Sequence, residues 1–167
     1  ESDSDFVGFM DADGAFLLND LETIEKFAKQ IFLQKKINMV WGSRVALAGH
    51  DIDRTQTRHY LGRIVNTFVM WGIDVSIYDT QCGAKVFTVD DEVRRAFSQP
   101  FLSRWAFDVE VIGRLLRMGQ PRDSQKLLLE LQLLSWVEVP GSKITLIWQL
   151  RTVVELLKIR TSLRTWS

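Results

Sequence analysis

The sequence predicts an α/β sandwich, and three observations carry that prediction. Short apolar runs alternate with stretches whose apolar residues recur at helical spacing, in the order strand, helix, strand, helix, strand, helix. A length of 167 residues suits one domain with a sizeable core rather than two independent ones. With 46% hydrophobic and 25% charged residues, the composition is that of a folded chain and excludes wholesale disorder.

Phe6 to Met10 (FVGFM) reads as a buried strand running into the turn Asp11-Ala12-Asp13-Gly14. Asn19 with Glu22 forms a capping-box pattern, Asn standing in for Ser or Thr. Behind it Leu21, Ile24, Ala28 and Ile31 keep helical spacing as far as Lys36. Met39 to Val45 is the next strand, broken at Gly42, and Ala46 to Asp53 reads as a loop. Arg54 to Trp71 has the pattern of a long helix, with Leu61, Ile64, Val65, Phe68 and Val69 on one side. Its first half carries Arg54, Arg58, His59 and Arg63. Lys85 to Val89 predicts a strand, Asp90 to Phe97 a short helix, and Phe107 to Met118 another helix beyond Pro100. Leu127 to Val139 reads as a strand closed by the turn at Pro140-Gly141, and a last helix starts near Thr145.

Twenty-one basic and 21 acidic side chains give a formal net charge of zero, which argues against a nucleic-acid partner. A single cysteine, Cys82, leaves no disulfide framework and fits a reducing compartment. No uninterrupted apolar run approaches the ~18 residues of a spanning helix, so a soluble body is expected. The opening Glu1-Ser2-Asp3-Ser4-Asp5 passes at once into an apolar run, as the middle of an α/β fold would. A fragment is therefore expected, with self-association through the strand Phe6 to Met10.

The strongest local signal is Asp11-Ala12-Asp13 at a strand exit. Ligands of open α/β sheets lie at the carboxyl ends of strands, and two carboxylates in a turn can converge on a hard cation beside a phosphate. Arg44, Arg54 and Arg58 follow, and a guanidinium presents a planar fork to phosphate oxygens. In Asp79-Thr80-Gln81-Cys82-Gly83 the Asp and Gly suit a turn, and Cys82 reads as a small buried filler rather than a nucleophile. Trp105-Ala106-Phe107-Asp108-Val109-Glu110 puts two acids at a helix start, where the dipole favours them whatever their function.

Taken in order, DAD, GSR, DTQCG, WAFDVE and WVEVPGSK resemble the family-2 glycosyltransferases of the dolichyl-phosphate β-glucosyltransferase type, from Phe6 to about Arg160. DTQCG followed by WAFDVE is far more specific than the acidic pair alone. The resemblance implies the C-terminal portion of a GT-A fold, a mixed sheet flanked by helices, without the family's N-terminal nucleotide-base pocket. It divides the chain into a partial GT-A domain, residues 1–144, and a C-terminal amphipathic helix, residues 145–167. That helix either packs on the sheet with a solvated outer face or meets a membrane. Ala84 stands where the family would place an aromatic residue, a loosening of the packing there.

The resemblance further implies inverting transfer of a hexose, glucose from UDP-glucose, to a polyprenyl phosphate at the cytosolic face of a membrane. Asp11 and Asp13 would hold Mg²⁺ or Mn²⁺, Arg44 and Arg58 would meet substrate phosphates, and Asp79 or Asp108 would act near the reacting sugar carbon. The sequence does not choose between the last two. A non-catalytic remnant is the main alternative. A haloacid-dehalogenase-like phosphatase with Asp11 as nucleophile is a weaker one, because the later Gly-Asp-x-x-x-Asp pattern is absent.

Overall fold

The computed structural model describes residues 4–12, 15, 18–34, 37–45, 47–49, 51–53, 67, 70, 77–118, 128–137 and 146–166. Among them are the strands β1 (Phe6–Met10), β2 (Met39–Ser43), β3 (Asp51–Asp53), β4 (Ala84–Thr88), β5 (Leu128–Gln132) and β6 (Ser135–Val137). The helices are α1 (Leu18–Gln34), α2 (Asp91–Ala96), α3 (Phe107–Met118) and α4 (Leu146–Leu163).

Four strands form a mixed sheet in the order β1-β4-β2-β5. β4 runs antiparallel to both neighbours, and β2 and β5 are parallel. β2 is central and buried along its whole length, as its near-continuous apolar run requires. α1 lies against β4 and β2 with Ile24 and Ala28 in the core, while α3 packs between α2 and α4. Gly113 on α3 is a true close approach: a Cβ there would overlap the Leu163 side chain of α4.

Two helix starts are set by side-chain caps. The Asp90 carboxylate accepts from Val93 N at 2.8 Å to open α2. Ser103 Oγ accepts from Ala106 N at 2.8 Å just ahead of α3, which spans the predicted residues. The capping position at Asn19 is not used, since α1 already includes Leu18. Its neighbour Asp20 instead reaches across the fold, accepting from Leu134 N and Ser135 Oγ.

Three other expectations change. The apolar strand β1 is largely exposed, with Val7, Phe9 and Met10 all open, because among the described residues it pairs only with β4. Residues 51–53 are not loop but β3, paired in parallel with β6 in a second small sheet. The predicted strand from Leu127 is two strands, because the chain leaves the main sheet at Leu133, whose N–H bonds Ser43 O. The long helix expected from Arg54 to Trp71 falls almost wholly outside the described residues.

One buried ion pair fixes the connection from α2 to α3. The Arg114 guanidinium donates to the carbonyls of Ala96, Gln99 and Pro100 at 2.7–2.9 Å and to Glu110 Oε1 at 2.7 Å. Glu110 Oε2 accepts from Leu102 N at 2.8 Å, so the pair satisfies loop backbone as well as itself. The guanidinium is held between the Phe101 and Trp166 rings, 4.6 and 4.3 Å from their centroids. Arg114→Met is expected to lower the unfolding free energy by about 3–5 kcal/mol, because it strands a buried carboxylate. Urea denaturation measures this, and Arg114→Lys should recover only part, since it loses the fork.

Candidate active site

Strand register lines up one row of side chains across the sheet. Phe9 on β1 pairs with Lys85 on β4, Lys85 with Trp41 on β2, and Trp41 with Glu130 on β5. Directly paired residues share a face of the sheet. Each member of this row grips the segment 78–82 or the start of α3. Phe9 lies 5.6 Å, centroid to centroid, from Phe107. Lys85 Nζ donates to the carbonyl of Cys82 and sits 3.3 Å from Asp108 Oδ2. Trp41 Nε1 donates to Asp79 O at 2.9 Å. Glu130 accepts from the backbone N–H groups of Tyr78 at 2.9 Å and Asp79 at 2.6 Å.

The row thereby brings Asp79, Asp108 and Asp11 to one end of the sheet, where β1 and β2 end and β4 begins. Asp11, at the exit of β1, bonds through its N–H to Gly83 O at 2.9 Å. Its carboxylate lies where a side chain on Gly83 would be, so only glycine at 83 leaves Asp11 in place. Arg44, just past β2, forms a bidentate fork with Asp79, Nε to Oδ2 at 2.7 Å and Nη2 to Oδ1 at 2.8 Å. The Arg44 N–H adds a third bond to the same carboxylate, and its guanidinium lies 5.2 Å from the centroid of the Trp136 ring on β6.

Burial opposes the charge on Arg44, but the paired Asp79 outweighs it and keeps the guanidinium ionised. Burial pushes the Cys82 thiol up to about 12, with the Asp79 charge adding to the effect, so no nucleophilic thiolate forms near neutral pH. Asp108 is pushed up from 3.8 to about 6 by burial; Lys85 opposes the rise and the charges of Asp11 and Asp79 add to it. The Asp108 Oδ1 atom is buried without a hydrogen-bond partner among the described residues.

Of the residues the sequence singled out, Asp11, Arg44, Asp79 and Asp108 come together here, and Asp13, Arg54 and Arg58 lie outside the described residues. Arg44 and Asp79, expected in separate roles, engage each other. Lys85 and Glu130 carry no functional expectation from the sequence, and Gly83 is expected there only as a turn residue. Each acid or base had a legible signal, a lone charge inside an apolar strand: AKVFT for Lys85, LLELQ for Glu130. Such a charge must be paired to be buried. The donors available to a metal, Asp11 and the orphaned Asp108 oxygen, are hard carboxylate oxygens, which fits Mg²⁺ or Mn²⁺. Among the described residues no three His, Cys, Asp or Glu side chains are grouped to hold a metal unaided.

Fold and sequence comparisons agree on the class. A solved structure of glucosyl-3-phosphoglycerate synthase from Mycobacterium tuberculosis, in complex with UDP, matches with a TM-score of 0.60 over 96% of this chain and 51% of that one, at 13% identity. The fold is that of a GT-A glycosyltransferase. By sequence the chain is similar to dolichyl-phosphate β-glucosyltransferases. It is 30% identical over 155 residues to one from Trichomonas vaginalis, 34% over 145 to that of Drosophila melanogaster and 34% over 153 to the human one. These matches cover 84–93% of this chain, which spans 41–45% of the length of those relatives. No family model matches.

Removing Lys85 takes away the charge and the hydrogen bond that favour ionised Asp108. Lys85→Met is therefore expected to move the Asp108 titration, followed by carboxylate ¹³C NMR, above the wild-type value of about 6. Because the folded state binds this proton more tightly than the unfolded chain, the stability that Asp108 contributes is present below 3.8 and is lost as pH rises to about 6.

Proposed function

We propose that this fold serves the inverting transfer of glucose from UDP-glucose to a polyprenyl phosphate, at the cytosolic face of a membrane. The observation that carries the reading is the convergence of Asp11 on Asp108, itself paired with the buried Lys85, at the strand ends of a GT-A sheet. The homologues' names supply the acceptor class and the sugar.

In the reaction a phosphate oxygen of the acceptor attacks the anomeric carbon, a C–O bond forms on one face, and the bond to the nucleoside diphosphate breaks on the other. The transition state is oxocarbenium-like. A phosphate monoester with a second pKa of about 6 is largely dianionic at pH 7, so the acceptor needs positioning more than deprotonation. Asp79 has both carboxylate oxygens committed to Arg44, which favours it as a positioning residue. Asp108, with one oxygen unengaged by the chain, is the acid assigned to the developing positive charge at the sugar. Ionised above about pH 6, it would stabilise that charge from a buried carboxylate. Asp11 and Asp13 would hold Mg²⁺ or Mn²⁺, which when bound supplies charge neutralisation at the departing diphosphate. Arg44, with the part of its guanidinium that Asp79 does not engage, and Arg58 would align substrate phosphates. Residues 1–144 form the transferase portion in this reading and residues 145–167 its membrane-facing helix.

Calorimetry with UDP and Mn²⁺ tests the donor side. Asp11→Asn is expected to weaken metal-dependent UDP binding by about 1.5–3 kcal/mol, the loss of a charged partner. Gly83→Ala should do the same without removing any ligand, by displacing the Asp11 carboxylate. Equal binding by wild type and Asp11→Asn would defeat the assignment. On the acceptor side, transfer from UDP-glucose to a short polyprenyl phosphate by an active enzyme carrying Arg58→Ala should show a raised acceptor requirement and an unchanged donor requirement. Metal-dependent UDP binding by this chain without transfer would instead favour a binding role alone.

A further inference from the structure

The segment 77–83 belongs to no helix or strand, yet Asp79 within it is held at both ends of its backbone. Its N–H donates to Glu130 Oε1 at 2.6 Å, and its carbonyl accepts from Trp41 Nε1 at 2.9 Å. The two posts are themselves directly paired, Trp41 on β2 with Glu130 on β5. Glu130 Oε2 takes the preceding N–H, that of Tyr78, at 2.9 Å. A peptide gripped from two adjoining strands has little freedom to tilt.

Glu130 carries its charge without a cation. Among the described residues no Lys or Arg pairs with it, and both its oxygens accept from backbone amides. A half-buried carboxylate costs free energy unless its hydrogen bonds are made, and charge-assisted bonds from N–H groups are among the stronger ones. An apolar residue would suit the strand LLELQ better, so what the acid adds is its hold on residues 78 and 79.

That hold governs Arg44. Asp79 accepts from Arg44 Nε, Nη2 and backbone N–H, and Gln81 N adds a bond at 3.2 Å to the same carboxylate. The guanidinium plane therefore follows the orientation of Asp79. Among the described residues nothing bonds Arg44 Nη1, so the Nη1–Nη2 edge is the part left for an anion. Donors fixed in advance need no reorientation when a charged group arrives, whereas a swinging arginine loses rotamer freedom on binding.

We propose that Glu130 is a positioning residue for phosphate recognition. By fixing the Asp79 peptide it fixes the Asp79–Arg44 fork, and so presents the open guanidinium edge, already oriented, to a phosphate monoester. This rests on the transferase reading for the identity of the phosphate and on the geometry for the clamp.

Side-chain ¹⁵N NMR of Arg44 tests the clamp. Glu130→Gln keeps the size of the side chain and loses one of the two acceptor oxygens. Its Arg44 Nε–H is expected to exchange with water roughly tenfold faster than in wild type. Arg114→Lys, which weakens the fold away from this site, should leave that exchange unchanged. Calorimetry on the same chains uses a short polyprenyl phosphate, expected to bind about fivefold more weakly to Glu130→Gln, the cost of ordering a loosened arginine. UDP with Mn²⁺ should bind that variant as it binds wild type, and circular dichroism checks that both variants fold. Wild-type exchange in Glu130→Gln would overturn the proposal. So would equal acceleration in Arg114→Lys, which marks a loss of stability alone, or unchanged affinity for the polyprenyl phosphate beside accelerated exchange. A parallel loss of UDP and Mn²⁺ binding would overturn it too, as collapse of the whole strand end. Failure of the wild-type chain to bind polyprenyl phosphate, with exchange still accelerated in Glu130→Gln, would strike the acceptor of the transferase reading and leave the clamp on Arg44 standing.

Discussion

The register of β4 is the constraint on which the site depends. Because β4 is antiparallel to β1 and β2, its first residues lie beside their last ones. Gly83 therefore meets Asp11, and Lys85 faces both Phe9 and Trp41. A slip of one residue would turn Lys85 to the other face of the sheet and remove the counter-charge of Asp108. The row Phe9, Lys85, Trp41 and Glu130 is thus a floor from which each member reaches a site segment. Packing of the sheet and placement of the chemistry are decided by one set of pairings.

How far the sequence reveals this differs between elements for physical reasons. α2 and α3 were legible because their caps are local: Asp90 and Ser103 each sit within three residues of the N–H they bind. The family resemblance was legible because DTQCG and WAFDVE are contiguous, and their two acids do arrive at one place. What escaped depends on distant partners. β3 and β6 are three-residue strands more than 80 residues apart, below any periodic signal. An apolar run such as FVGFM cannot say how many neighbours it has, so its exposure was invisible. The Arg44–Asp79 fork joins motifs 35 residues apart and gives both residues a partner that neither motif names.

Two buried cations divide the labour. Both terminal nitrogens of Arg114 are committed to loop carbonyls and Glu110 and its plane lies against two aromatic rings, an arrangement that holds backbone. Lys85 is held by one carbonyl, one ring and a carboxylate that keeps a second oxygen unengaged. A planar five-donor group suits the first task and a compact point charge the second. Placing them on adjoining elements lets α3 carry a rigid anchor at Glu110 and an electrostatically poised acid at Asp108, two residues apart.

The burial of Cys82 gives the protein a built-in reporter. It is the chain's only cysteine, packed where a Cβ on Gly42 would come within 2.9 Å of its sulfur, and its thiolate is strongly disfavoured. A thiol reagent can therefore react only when the end of β2 parts from the segment leading into β4. The rate of that labelling clocks the opening of the same strand ends that gather Asp11, Asp79 and Asp108, with no engineered probe. Any ligand that braces those ends would slow the clock, so occupancy of the site becomes readable as the reactivity of an atom that takes no part in its chemistry.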